Sequence, residues 1–117
     1  MVPTETYDVV LYKSARGESF AKDFMDELPE KVRGKFLRWI AALKVHGPNL
    51  PRPYADLVRG KIRELRVVFG SGQYRLLYFF AGKQIVITHG FVKKTMQVPI
   101  EELERAERLM REWEEYA

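Results

Sequence analysis

Residues 60–95, GKIRELRVVFGSGQYRLLYFFAGKQIVITHGFVKKT, constrain this chain more than any other stretch. Three apolar runs are separated by Gly70-Ser71-Gly72 and by Ala81-Gly82-Lys83. Connections that short join antiparallel strands, because a parallel crossover needs a dozen or more residues. Strands are therefore expected at about Ile62–Phe69, Gln73–Phe80 and Gln84–Phe91. The stretch is also basic. Lys61, Arg63, Arg66, Arg75, Lys83, Lys93 and Lys94 stand against one acid, Glu64, a net of +6 where the whole chain carries +4.

The flanks read as a strand and helices. Tyr7 to Tyr12 is β-branched and aromatic, a first strand. Phe20, Phe24 and Leu28 recur at spacing four, one face of a helix with Ser19 or Glu18 at its start. Pro29 opens a second helix running to about Val45. Its buried stripe is Val32, Phe36, Trp39, Ile40 and Leu43, with Lys31, Arg33, Lys35 and Arg38 facing outward; Gly47-Pro48 stops it. The two helices are expected to form a hairpin over one sheet face. Asn49 to Tyr54 carries two prolines and reads as an ordered loop, and Asp56 to Arg59 leads into the sheet. Pro99 to Tyr116 is a last helix, with Glu101–Arg105, Glu104–Arg108 and Glu107–Arg111 at i,i+4 spacing. Ile100, Leu103, Leu109, Met110 and Trp113 form its apolar side. The sum is an α+β domain over residues 1–117: a small antiparallel sheet of about four strands, an N-terminal helical hairpin and a C-terminal helix.

Composition narrows the function classes. At 117 residues with 46% apolar content, the chain builds one core in one domain. With no cysteine there is no disulfide framework, which fits a reducing cytoplasm. The N-terminus lacks a basic segment followed by an apolar core, so no signal peptide is expected. No apolar run approaches the ~18 residues of a membrane span. Two distant histidines and a C-terminal helix whose acids are spaced for ion pairs leave metal chemistry and cofactors unsupported. A sequence pI of 9.4 points instead to an anionic partner such as nucleic acid, a ribosome surface or an acidic protein.

Within the basic stretch, Arg75 is the sharpest residue. It sits mid-strand among apolar neighbours, where arginine is rarely buried unpaired. Its guanidinium matches a phosphate in two contacts and keeps its proton; the alternative is an ion pair with Glu64. Strand alternation places Arg63 and Arg66 on opposite faces, so only one shares the side of Arg75. Lys61 is placed to reach backbone phosphate, or is a solvated charge. Lys93 and Lys94 follow the end of the third strand, where adjacent lysines can aim at one polyanion. His89 is either a general acid or base or a structural histidine. In Tyr74 to Phe80 both strand faces are apolar, so each needs a cover: helices on one side, and on the other the C-terminal helix or a partner. A metal-free basic site suits RNA, whose 2′-hydroxyl can attack the adjacent phosphate. The protein then orients the strand, stabilises charge on phosphorus and moves protons, the last by a lysine of lowered pKa or by His89.

Four pieces together carry a resemblance: Glu64-Leu65-Arg66, Tyr74-Arg75-Leu76-Leu77-Tyr78-Phe79, His89-Gly90-Phe91-Val92-Lys93-Lys94-Thr95, and Pro99 before the last helix. In this combination, and in element order from Tyr7 to Arg111, the chain resembles the HigB/RelE-like toxins of bacterial type II toxin–antitoxin systems, in their phage-derived HigB-like branch. The resemblance implies a RelE/ParE-like fold and a ribosome-dependent endoribonuclease that cleaves mRNA and inhibits translation. It implies a cognate antitoxin, usually of helix-turn-helix type, with ribosome and mRNA as further partners. On these positions it implies a catalytic set of Arg75, Lys93, Lys94 and Arg66. Beside the resemblance, His89 is the candidate for proton transfer, and Lys61, Arg63 and Phe91 are expected to bind RNA. The tyrosine or histidine that relatives carry near the C-terminus has only Tyr116 as a counterpart here. Two other readings stay open: a ParE-like non-catalytic inhibitor of DNA gyrase, and a basic RNA-binding module.

Overall fold

The computed structural model describes residues 6–93 and 97–116. The expected α+β architecture is present. In chain order the elements are β1 (Asp8–Leu11), α1 (Phe20–Asp26), α2 (Glu30–His46), a short 3-10 turn (Gly47–Asn49), β2 (Ala55–Arg59), β3 (Ile62–Phe69), β4 (Gly72–Ala81), β5 (Gln84–Lys93) and α3 (Ile100–Tyr116). The sheet has five strands in the order β1-β5-β4-β3-β2.

The three central strands stand where the glycine turns predict, joined as antiparallel hairpins. Gly70 and Gly82 both take positive φ at the turns, which glycine adopts without steric cost. Two features enlarge the expected sheet of about four antiparallel strands. The segment read as a lead-in is a strand, β2, paired antiparallel with β3. It is an outer strand, where Asp56, Arg59 and the half-exposed Leu57 are tolerated because only one of its edges must be paired. The second is β1, which lies parallel to β5 from Asp8↔Gln84 to Leu11↔Ile87, making the sheet mixed. The connection from β1 to β5 runs through both helices and three strands, so no turn motif betrays it.

Both N-terminal helices lie on one face of the sheet. There Ala21, Val32, Phe36 and Leu43 pack with Leu65, Val67, Leu76, Tyr78, Ile85 and Ile87. They dock beside each other rather than as a tight hairpin: α1 rests on β5, while α2 rests on β3 and β1. Ser19 caps α1 by accepting from the Lys22 amide. Arg33, expected to face outward, folds back instead. Its Nε and Nη2 donate to the Met25, Asp26 and Leu28 carbonyls, closing the C-terminal end of α1. At Gly90 the Phe24 ring of α1 lies against the strand so closely that a Cβ would collide with it.

α3 covers part of the opposite face, so the chain itself supplies that cover. Leu103, Ala106 and Leu109 pack with Tyr12, Ile62, Leu77, Phe79, Val86 and Phe91. Ile100, expected on the apolar side, is exposed. Glu107 pairs across to Arg59 of β2 at 2.5 Å. Among the described residues, no helix is long and apolar enough to cross a membrane.

Candidate functional site

Strand alternation brings a polar row together on the α3 side of the sheet. The register sets Arg66 directly opposite Arg75, and Arg75 opposite Phe91. One step towards the strand ends, Gln73 stands opposite Lys93. One step the other way, Asp56 opposes Glu64, Glu64 opposes Leu77, and Leu77 opposes His89. Four of the expected residues, Arg66, Arg75, Phe91 and Lys93, thus meet on three adjacent strands.

Glu64 lies at the centre of this network and is 2% exposed. Its Oε1 accepts from Arg66 Nε at 2.6 Å. The same oxygen is 3.5 Å from Arg75 Nε, close enough for attraction but outside hydrogen-bonding geometry. Arg66 then reaches Asp56 through Nη2 at 2.9 Å, and Asp56 also takes Arg52 at 2.8 Å. Burial works to raise the Asp56 pKa, but hydrogen bonds and charge from Arg52, the Leu57 amide and Arg66 outweigh it and hold the group below the usual carboxylate value.

Of the two readings of Arg75, phosphate contact or ion pair with Glu64, neither is complete in the free protein. Glu64 is bonded to Arg66, and Arg75 receives only the longer contact. Its Nη1 and Nη2 donate to neutral acceptors, the Tyr74 carbonyl and Gln73 Oε1, each at 3.2 Å. Arg75 is 5% exposed. Burial pulls its pKa down; Glu64 pulls the other way and Arg66 adds to the fall. Lys93 is nearly as buried, and its pKa is lowered by burial first, then by Arg75 and Arg66, against an opposing contribution from Glu64. The result is a guanidinium and an ammonium whose charges are incompletely balanced, an arrangement suited to an anion with two or more oxygens.

Three of the remaining expected residues, Arg63, Lys61 and His89, stand apart from this group. Arg63 takes the other face, where its guanidinium stacks over the Phe80 ring at 5.5 Å. Lys61 is exposed in the turn between β2 and β3. Lys94 lies outside the described residues. His89 shares the α3 side but is 1% exposed, buried beneath α3. Burial, with Arg105 and Arg108 nearby, drives its pKa down to about 4, so it is neutral at pH 7. Its Nδ1 is 3.2 Å from Thr88 Oγ1, and its Nε2 lies 3.4 Å from Glu102 Oε1 without a hydrogen bond. A bulge beside it shifts the β4–β5 register between Leu77 and Tyr78. Tyr116 is 82% exposed at the end of α3.

Gln73 and Asp56 were absent from the sequence-derived set. Gln73 precedes Arg75 by two residues and so shares its face; that period was the available signal. Asp56 carries no such signal until β2 is recognised as a strand.

Residues 23–111 match the family model described as phage derived protein Gp49-like (DUF891). The match spans most of the chain and every element of the polar row, and the chain belongs to that family. No curated protein matches it.

Proposed function

We propose that this member of the Gp49-like family is the toxin of a type II toxin–antitoxin pair, a ribosome-dependent endoribonuclease that cleaves mRNA without a metal ion. The observation that carries the reading is the Arg66–Arg75–Lys93 row, with Arg75 bonded only to neutral acceptors. The family match is compatible with a toxin, and the motifs from Glu64 to Thr95 resemble the HigB/RelE-like branch.

In this reading the RNA phosphate takes the place of Gln73 Oε1 and the Tyr74 carbonyl on the Nη edge of Arg75. Charge-assisted bonds to phosphate are stronger than the neutral ones they replace. Arg66, more exposed than Arg75, contacts the neighbouring backbone. The 2′-oxygen attacks phosphorus, its proton passes to water, and the P–O5′ bond breaks to leave a 2′,3′-cyclic phosphate. Lys93 gives a proton to the departing 5′-oxygen; a lowered pKa makes the ammonium a better donor. His89 takes no part, being neutral and enclosed under α3. Lys94 adds charge beside Lys93, while Lys61 and Arg63 serve at most in long-range attraction of the strand. A small antitoxin, of helix-turn-helix type, is the partner that silences the site.

The test is expression alone, with the ends of cellular mRNA mapped soon after growth stops. Wild-type protein is expected to arrest growth and leave cut mRNA. Arg75→Ala is expected to fold and to lose cleavage about 100-fold or more, the scale for removing one donor to a developing anion. DNA damage without mRNA cuts would favour gyrase inhibition, and harmless expression with salt-sensitive RNA binding would favour a plain binding module. A folded Arg75→Ala protein of full potency would remove Arg75 from the site.

A further inference from the structure

We propose that Glu64 is a positioning residue for the cleavage reaction: its single oxygen Oε1 draws the Nε edges of both Arg66 and Arg75 inward, so that the Nη fork of Arg75 is presented to the RNA phosphate. The inference rests on the endoribonuclease reading and assigns a role to a residue that this reading leaves unused.

The geometry is specific. Arg66 and Arg75 are directly opposite on neighbouring strands, where like charges repel. A carboxylate one row away relieves that repulsion. Glu64 Oε1 lies 2.6 Å from Arg66 Nε and 3.5 Å from Arg75 Nε, so both guanidinium groups turn the same edge towards it. Their outer edges are left to diverge. Arg66 spends one Nη on Asp56, whereas both Nη atoms of Arg75 meet only neutral oxygens at 3.2 Å. Glu64 Oε2 is buried with no hydrogen-bond partner among the described residues. Leaving a buried carboxylate oxygen unpaired is unfavourable. Only replacement of the whole Glu64–Arg66–Arg75 group by apolar side chains would be neutral or favourable for stability, so the buried charges are retained together. The site therefore keeps a negative charge where it opposes phosphate binding, and it gains a fixed direction for Arg75.

That conflict of signs supplies the test. Cleavage of a defined mRNA on programmed ribosomes is measured under single-turnover conditions for the wild type, Glu64→Gln and Glu64→Asp. In parallel, binding is measured to the same complex carrying a 2′-deoxy residue at the cut site, which cannot react. Glu64→Gln removes the charge, so affinity for the uncleavable RNA is expected to hold or rise a few-fold. The maximal rate is expected to fall about 10- to 100-fold, the scale of a small misplacement of a reacting group. Glu64→Asp, which keeps the charge on a shorter arm, is expected to recover part of the rate. An unchanged rate in Glu64→Gln would overturn the proposal. So would loss of affinity and rate in equal measure in both variants, the pattern of a purely structural residue. Absence of cleavage by the wild type would instead defeat the endoribonuclease reading, and this role with it.

Discussion

The two faces of the sheet use the same strands and bury opposite chemistry. The face under α1 and α2 is apolar, with Phe36, Val32, Leu43, Leu65, Leu76 and Tyr78 fully or almost fully buried. The face towards α3 holds Glu64, Arg75, His89 and Lys93, every buried Asp, Glu, Lys, Arg or His among the described residues. Burying charge is unfavourable unless it is paired and bonded, and here it is only half paired. One face therefore supplies the stability that the other face draws on, and the cost of the polar row is confined to a single side.

That division can be broken most strongly from the stable side. Phe36→Ala is expected to lose about 3–5 kcal/mol, as for other buried aromatics cut to alanine. Denaturant unfolding checks the size. On the proposed endoribonuclease reading, cleavage per folded molecule should not change, and a selective loss of cleavage would show that the faces are coupled.

The second prediction sharpens the polar side. His89 has a pKa of about 4 when folded, against an ordinary 6.5, so the unfolded chain binds the proton more readily. Its contribution is complete above pH 6.5 and is lost as pH falls towards 4. That difference corresponds to at most about 3 kcal/mol. Glu102, whose pKa is raised by burial, works in the opposite sense, because its folded form holds a proton more readily. The net loss should thus be smaller. His89→Gln should flatten the stability curve between pH 6.5 and 4, measured by thermal unfolding, with mRNA cleavage at pH 7 kept.

The smallest expected effects return to the helical side. Gly90→Ala forces its Cβ into the Phe24 ring and should cost about 1–3 kcal/mol, the range for overpacking. Ser19→Ala removes the cap of α1 and should cost about 1 kcal/mol. Paired measurements of unfolding and cleavage on both variants would place each loss on stability alone if the division holds.

Much of this arrangement is legible in the sequence. Turn glycines and period-two alternation specify β3, β4 and β5 to within a residue or two, and spacing four with Pro29 and Gly47 specifies α2. Those signals are local. Pairing of β1 with β5 is not local, and Asp56 to Arg59 is too charged to read as a strand until β3 is beside it. The period also fixes that Arg63 and Arg66 part company. It does not say which one meets Arg75; only the register of β3 on β4 does. His89 looks equally suited to chemistry or structure because its enclosure comes from α3, a helix that follows it in the chain.

The parallel pairing of Asp8 with Gln84 has a consequence for the timing of assembly. The first strand made has to wait for the last one. Contacts so far apart in sequence form late, after the intervening chain has been closed into a loop. At roughly 5–20 residues per second of synthesis, the nascent chain spends several seconds without its final strand. Lys93 sits at the end of that strand, so the polar row is the last part of the sheet to be completed. A growing chain that lacks it carries an unfinished polar row, with Arg75 and Gln73 still without their β5 neighbours.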